Sequence, residues 1–154
     1  MKILIADSFP NSHAQILEEN GHALTIDANL DGESLTEAIK DSEALIVRST
    51  KVTATTMDAA PNLKLIIRAG AGTNTIDKLH AAKKQIRVCN VPGANAVAVA
   101  ELVMGLILSI DRQLPQNVSD LQNNVWNKKK YSKAQGLYGQ KIAILGLGAI
   151  GFAV

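Results

Sequence analysis

KIAILGLGAIG, residues 141–151, joins an apolar run, Ile142–Leu145, directly to Gly146-Leu147-Gly148-Ala149-Ile150-Gly151. A buried strand running into G-x-G-x-x-G is the setting that separates a dinucleotide-binding turn from an ordinary glycine-rich loop, the competing reading. In a dinucleotide turn, Gly146 permits the sharp reversal and Gly148 lets the backbone approach a pyrophosphate. Gly151 lets the next helix pack close to the strand. Ala149 and Ile150 stand in the first turn of that helix, whose unpaired N–H groups favour phosphate. Such a fold also needs a second strand and a ribose-binding acid about 20 positions on. Neither follows before Val154, so the sequence reads as cut short, its last strand lacking neighbours.

Upstream of this run, short Ile/Leu/Val-rich stretches alternate with helical ones, which predicts a parallel α/β sheet. Strands are expected at 2–6, 23–27, 44–47, 63–67 and 86–89. A helix over 12–20 would be capped by Asn11 or Ser12, with Gly21 just past its end. Ser34 would open the next helix, with Glu37 completing a capping box. Thr53 would cap a short helix ending before Pro61, and residues 76–84 form another. Residues 94–111 read as a long buried helix, interrupted by Pro115 and followed by a polar helix over 116–123. A basic, turn-rich connection covers 127–133.

The fold expected is therefore α/β: a doubly wound parallel sheet over 1–94, then the start of a second nucleotide-binding unit over 95–154. Its 154 residues, 47% hydrophobic and 19% charged, describe a globular chain. Sixteen basic and fourteen acidic residues leave a net charge of +2, too little to indicate a nucleic-acid partner. The apolar run 96–110 carries Glu101 and falls short of the ~20 residues a bilayer span needs, so no membrane is expected. With Cys89 as the single cysteine and no signal-peptide pattern, the expected setting is the cytoplasm. No metal site is expected.

IVRSTKVT (46–53), RAGAGTNTID (68–77), NVPGANAVAVAELVMGLIL (90–108) and GLYGQKIAILGLGAIG (136–151) occur in order between residues 46 and 151. The chain thereby resembles the D-isomer-specific 2-hydroxyacid dehydrogenases. The resemblance implies a flavodoxin-like substrate domain, a crossing near 95–101, and a Rossmann domain beginning near the glycine turn. It implies NAD as cofactor, a small 2-hydroxy acid such as 3-phosphoglycerate as substrate, and a homodimer formed through Ala98–Asn123. It also implies that the catalytic arginine, glutamate and histidine lie beyond Val154. His13, His22 and His80 match none of them and are expected at the surface or in packing.

Within the chain the resemblance points to Arg48 and Ser49 as substrate-anion ligands at the end of the third strand. A guanidinium fork suits a carboxylate or phosphate there, although strand ends also carry ordinary surface charges. Gly70, Ala71 and Gly72 would offer backbone N–H groups to the substrate carboxylate, and Ala71 would also border the cofactor. A plain tight turn would use the same glycines. Arg68 reads as structural, and Asn95 and Glu101 fall in matching motifs. Two departures stand out: Ala149 occupies a position where the family often has arginine, and Thr73-Asn74-Thr75 replaces the usual Val-Asp-Asn. Two other readings compete. Asp7 after the first strand suits a phosphoacceptor receiver, but Arg48 and Asn90 stand where that needs aspartate and lysine. A non-catalytic dimerising remnant fits the early end of the chain.

Overall fold

Five of the apolar runs become parallel strands in the computed structural model, which describes residues Met1–Val154. They are β1 (Lys2–Ile5), β2 (Ala23–Ile26), β3 (Ala44–Val47), β4 (Leu65–Arg68) and β5 (Arg87–Asn90). Parallel neighbours need crossovers, supplied by α1 (Asn11–Glu19), α2 (Gly32–Ala38), α3 (Ala54–Asp58) and α4 (Lys78–Lys83). The spatial order is β2-β1-β3-β4-β5, the flavodoxin-like arrangement. It changes direction between β1 and β3. In open sheets of this kind, ligands bind beyond the carboxyl ends of the strands at that switch.

Side chains alternate across the pleat, and the two faces bury different sets. Leu4, Leu45 and Ile66 pack with Leu35, Ile39, Met57 and Ala81 of the helices on one face. Ile3, Ile5, Ala44 and Ile46 face the other way, against Phe9 and Leu17. All four residues of β3 are buried, as a central strand requires. The paired positions Ile5–Ile46, Ile46–Ile67 and Val47–Arg68 bring the carboxyl ends of β1, β3 and β4 level.

The caps differ in part from the sequence reading. Thr53 does cap α3, its hydroxyl accepting from the Thr56 N–H at 3.3 Å. At α2, however, the cap is Asp31, and Ser34 is its reciprocal partner in the capping box. A carboxylate accepts both the Glu33 and Ser34 N–H groups, so it outcompetes the Ser34 hydroxyl for the role. Helix α1 begins at Asn11 after Pro10, with no side-chain cap. Pro10, at the N-cap, has no side-chain acceptor to offer the first N–H groups. Asp77 caps α4 through the His80 N–H.

The chain divides into two units, Met1–Ala94 and Asn95–Val154. The second holds α5 (Ala96–Asp111), α6 (Leu114–Gln122), α7 (Lys128–Tyr131) and α8 (Ala149–Ala153). Two expectations need correction there. Residues 142–145 form no strand, and Ile142, Ile144 and Leu145 are exposed. A β-strand exists through its ladder bonds, and no strand of this unit lies beside the run. Likewise α5 is apolar but only partly buried: Ala96 and Ala100 are covered and Val99, Val103 and Ile107 half-covered, while Val97, Leu102, Leu106, Leu108 and Ile110 are exposed. No helix is long and apolar enough to cross a membrane.

Candidate functional site

At the β1/β3 switch, Asp7 follows β1 and Arg48-Ser49-Thr50 follow β3. The Asp7 carboxylate accepts the backbone N–H groups of Arg48 (2.6 Å), Ser49 (3.1 Å) and Thr50 (3.2 Å) and the Ser49 hydroxyl (2.9 Å). The Thr50 hydroxyl donates to the Ala6 carbonyl at 3.0 Å. Partial burial pushes the Asp7 carboxyl up, but the N–H groups of Arg48, Ser49 and Thr50 together hold it below its ordinary value. It therefore stays ionised. The Arg48 side chain is exposed and forms no ion pair. A free guanidinium and an exposed serine hydroxyl thus stand at the expected edge.

The loop after β4 lies level with this edge. Ala69 N–H donates to the Val47 carbonyl at 2.7 Å, continuing the ladder. Gly70 serves otherwise than expected from sequence. Its N–H is bonded to the Arg68 carbonyl at 2.8 Å. A Cβ at Gly70 would run into the Arg68 guanidinium, whose Nε donates to the Arg48 carbonyl at 2.8 Å. The N–H groups of Ala71 and Gly72 donate to nothing in the chain. Asn90 steadies them, its amide donating to the Ala71 carbonyl at 2.6 Å. Farther along, Val52 N–H bonds the Thr75 carbonyl and Asp77 N–H the Val52 carbonyl, tying the two loops together.

In the second unit the glycine turn keeps some conformational features of its motif, although no strand precedes it. Gly146 has φ +94°, in the left-handed region that favours glycine. Gly148 is extended and nothing lies within 4 Å of where its Cβ would be, which leaves its backbone open to close approach. At Gly151 a Cβ would strike the Gly146 carbonyl oxygen and sit 3.2 Å from Ile144. Here the third glycine is fixed by packing. Ala149 and Ile150 begin α8. Ala149 adds no charge of its own to the turn.

The histidines lie elsewhere. His80 Nε2 meets Asp58 Oδ1 at 2.9 Å, joining α4 to α3, and Lys84 bonds the same carboxylate at 2.7 Å. His22 contacts the N-terminus and His13 lies edge-on to Phe9. Asn95 stands at the start of α5 without a side-chain cap bond, and Glu101 is exposed. Asp7 and Asn90 are the site residues that sequence reading did not assign to this edge. Asp7 carried a signal, an acid directly after the first strand, but its partners lie 41–43 residues away.

Comparison with known proteins bears on this arrangement. Residues 3–148 match the family model described as D-isomer specific 2-hydroxyacid dehydrogenase, catalytic domain. The chain is 42% identical over 152 residues to D-3-phosphoglycerate dehydrogenase of Methanocaldococcus jannaschii, covering 98% of this chain and 29% of that protein. It is 36% identical to hydroxypyruvate reductase of Thermotoga maritima, covering 97% of this chain and 49% of the relative. Among solved structures it is similar to NAD-dependent formate dehydrogenase from Staphylococcus aureus in complex with NAD. That likeness has a TM-score of 0.87 and 28% identity, over 99% of this chain and 51% of the other. The chain thus spans under a third of the phosphoglycerate dehydrogenase and about half of the other two. With a flavodoxin-like sheet and a family match across 3–148, this chain belongs to the D-isomer-specific 2-hydroxyacid dehydrogenases.

Proposed function

We propose that this chain supplies the substrate-anion cradle and the first phosphate-binding turn of an NAD-dependent dehydrogenase acting on a small 2-hydroxy acid such as 3-phosphoglycerate. The observation that carries the reading is the switch-point edge. There the exposed Arg48 guanidinium and the unbonded N–H groups of Ala71 and Gly72 stand at the ends of adjacent strands. A guanidinium fork and paired backbone donors are what a carboxylate or phosphate accepts from. Ser49 adds an exposed hydroxyl. Relatives named D-3-phosphoglycerate dehydrogenase and hydroxypyruvate reductase support an anionic substrate of this class.

Gly146, Gly148, Ala149, Ile150 and Gly151 would hold the pyrophosphate of NAD, and Ala71 would border the cofactor. The nicotinamide ring supplies the hydride acceptor. No histidine of residues 1–154 belongs to the cradle, so the chain binds without taking the acid–base part. Cys89 is a free thiol, in keeping with the cytoplasm. A second copy of the chain would cover the apolar side of α5 and α6, where Leu106, Leu108, Val118 and Leu121 are exposed.

Calorimetry of the 154-residue chain with 3-phosphoglycerate tests the reading, with uncharged glycerol as control. Saturable binding of the acid alone, weakened about tenfold or more by Arg48→Ala, is expected. Equal binding by the variant, or none by the wild type, contradicts it.

A further inference from the structure

We propose that Asp7 is a positioning residue for anion binding: its carboxylate fixes the main chain of residues 48–50, and with it the point from which Arg48 reaches a bound anion. The inference rests on the cradle reading above.

Three consecutive N–H groups and one hydroxyl converge on this carboxylate, at 2.6, 3.1, 3.2 and 2.9 Å. All come from the turn that follows β3, and none of the donors is a charged side chain. That choice has a consequence for charge. Had Asp7 paired with the Arg48 guanidinium, the cation would be neutralised at the place where an anion needs it. Instead Asp7 is satisfied by backbone dipoles and Arg48 remains unpaired. Ionised hydrogen-bond acceptors give the stronger, shorter bonds, so the turn is held more firmly than a neutral side chain could hold it. The N–H groups also keep the carboxyl below its ordinary value, so the clamp is in place at neutral pH.

Asparagine at position 7 preserves size but leaves one acceptor oxygen and turns an NH2 group toward the donors. The turn would loosen while the sheet core, which Asp7 does not enter, keeps its packing.

The test compares wild-type and Asp7→Asn chains by heteronuclear NMR titration with 3-phosphoglycerate, well below either unfolding midpoint. The expected result is affinity on the order of tenfold weaker in Asp7→Asn. Amide shifts of residues 44–47 and 65–67 should be unchanged, so that a general loss of fold is not the cause. Equal affinity in the two chains overturns the positioning role and leaves the cradle intact. No binding by the wild type brings down the cradle reading, and this inference with it.

Should Asp7→Asn fail to fold, the wild type decides. The Asp7 carboxyl is titrated by carbon-13 NMR with and without methanesulfonate, an anion of fixed charge. Of the charged groups on the adjoining elements, Asp27 at the end of β2 gives its own carboxyl resonance, and Arg48 and Arg68 give none. A carboxylate that merely lies near the anion is repelled by it, and its pKa rises. A carboxylate that organises the anion's site is stabilised in return, by the reciprocity of linkage, and its pKa falls. A fall is expected; a rise, or no change, overturns the proposal.

Discussion

The Nε–H of Arg68, the last residue of β4, donates to the main-chain carbonyl of Arg48, just past the end of β3, across 2.8 Å. The two arginines of neighbouring strands therefore do different work. One guanidinium holds the backbone of the other's turn, and the second is left free. Gly70 belongs to the same arrangement, because the Arg68 guanidinium fills the space a Cβ there would take.

Arg68→Ala should cost about 0.5–1.5 kcal/mol of stability through the lost hydrogen bond, measured by urea unfolding. Gly70→Ala should destabilise the wild type because it displaces that guanidinium, and should cost less once Arg68 is alanine. The coupling expected of such contacting residues is roughly 0.5–3 kcal/mol. Additive effects would show that the two do not share this space.

In the sheet, Leu45→Ala removes a fully buried side chain from the middle of β3. A loss of about 2–5 kcal/mol is expected from transfer and cavity terms together, read from the urea midpoint at constant slope. A loss below about 1 kcal/mol would mean that this strand is not the centre of the core.

Gly151→Ala should disturb α8 and the glycine turn, because the added methyl meets the Gly146 carbonyl oxygen. Amide exchange across residues 146–154 should quicken while residues 1–94 are unaffected. Gly148→Ala, with open space around it, should leave exchange unchanged. Equal effects of the two substitutions would contradict the packing seen at Gly151.

Acid should destabilise the chain in a defined direction. Hydrogen bonds from Lys84 and His80 hold Asp58 below its ordinary 3.8. Asp7 is also lowered, its backbone donors together outweighing the burial that raises it. A carboxyl whose folded value is depressed contributes stability that is whole above the unfolded value and drains as pH falls through the folded one. The urea midpoint should therefore hold steady down to about pH 4 and fall below it. Asp7→Asn should blunt the fall more than Asp58→Asn, since Asp58 is solvent-exposed and its pairs are screened.

How much of this was readable in advance divides along physical lines. The strand at 44–47 announces itself as a continuous apolar run because both of its faces are buried, and the one expected at 63–67 shows itself in the shorter run Leu65–Ile67 that opens β4. Thr53 is legible as a cap because its partner, Thr56, is three residues away. The parallel order and the switch point follow from alternation of strand and helix. Arg48 and the 70–72 loop could be named because strand ends and glycines leave local marks. Long-range satisfaction leaves none. Nothing local says that Asp7 caps a turn some forty residues on, that Asn90 holds the Ala71 carbonyl, or that Arg68 already occupies the Gly70 N–H and the space above it. The strand expected at 142–145 and the burial expected of α5 failed for a related reason. An apolar run shows that a segment can be covered, and whether a neighbour covers it is a property of the fold around it.

The most direct test of the anion cradle is a backbone-amide map of the 154-residue chain as 3-phosphoglycerate is added. Saturable shifts centred on Arg48, Ser49, Ala71 and Gly72, with Gly70 moving less because its N–H is already bonded, are the predicted result. Shifts scattered over the surface lysines, or none at the ends of β3 and β4, would contradict the account.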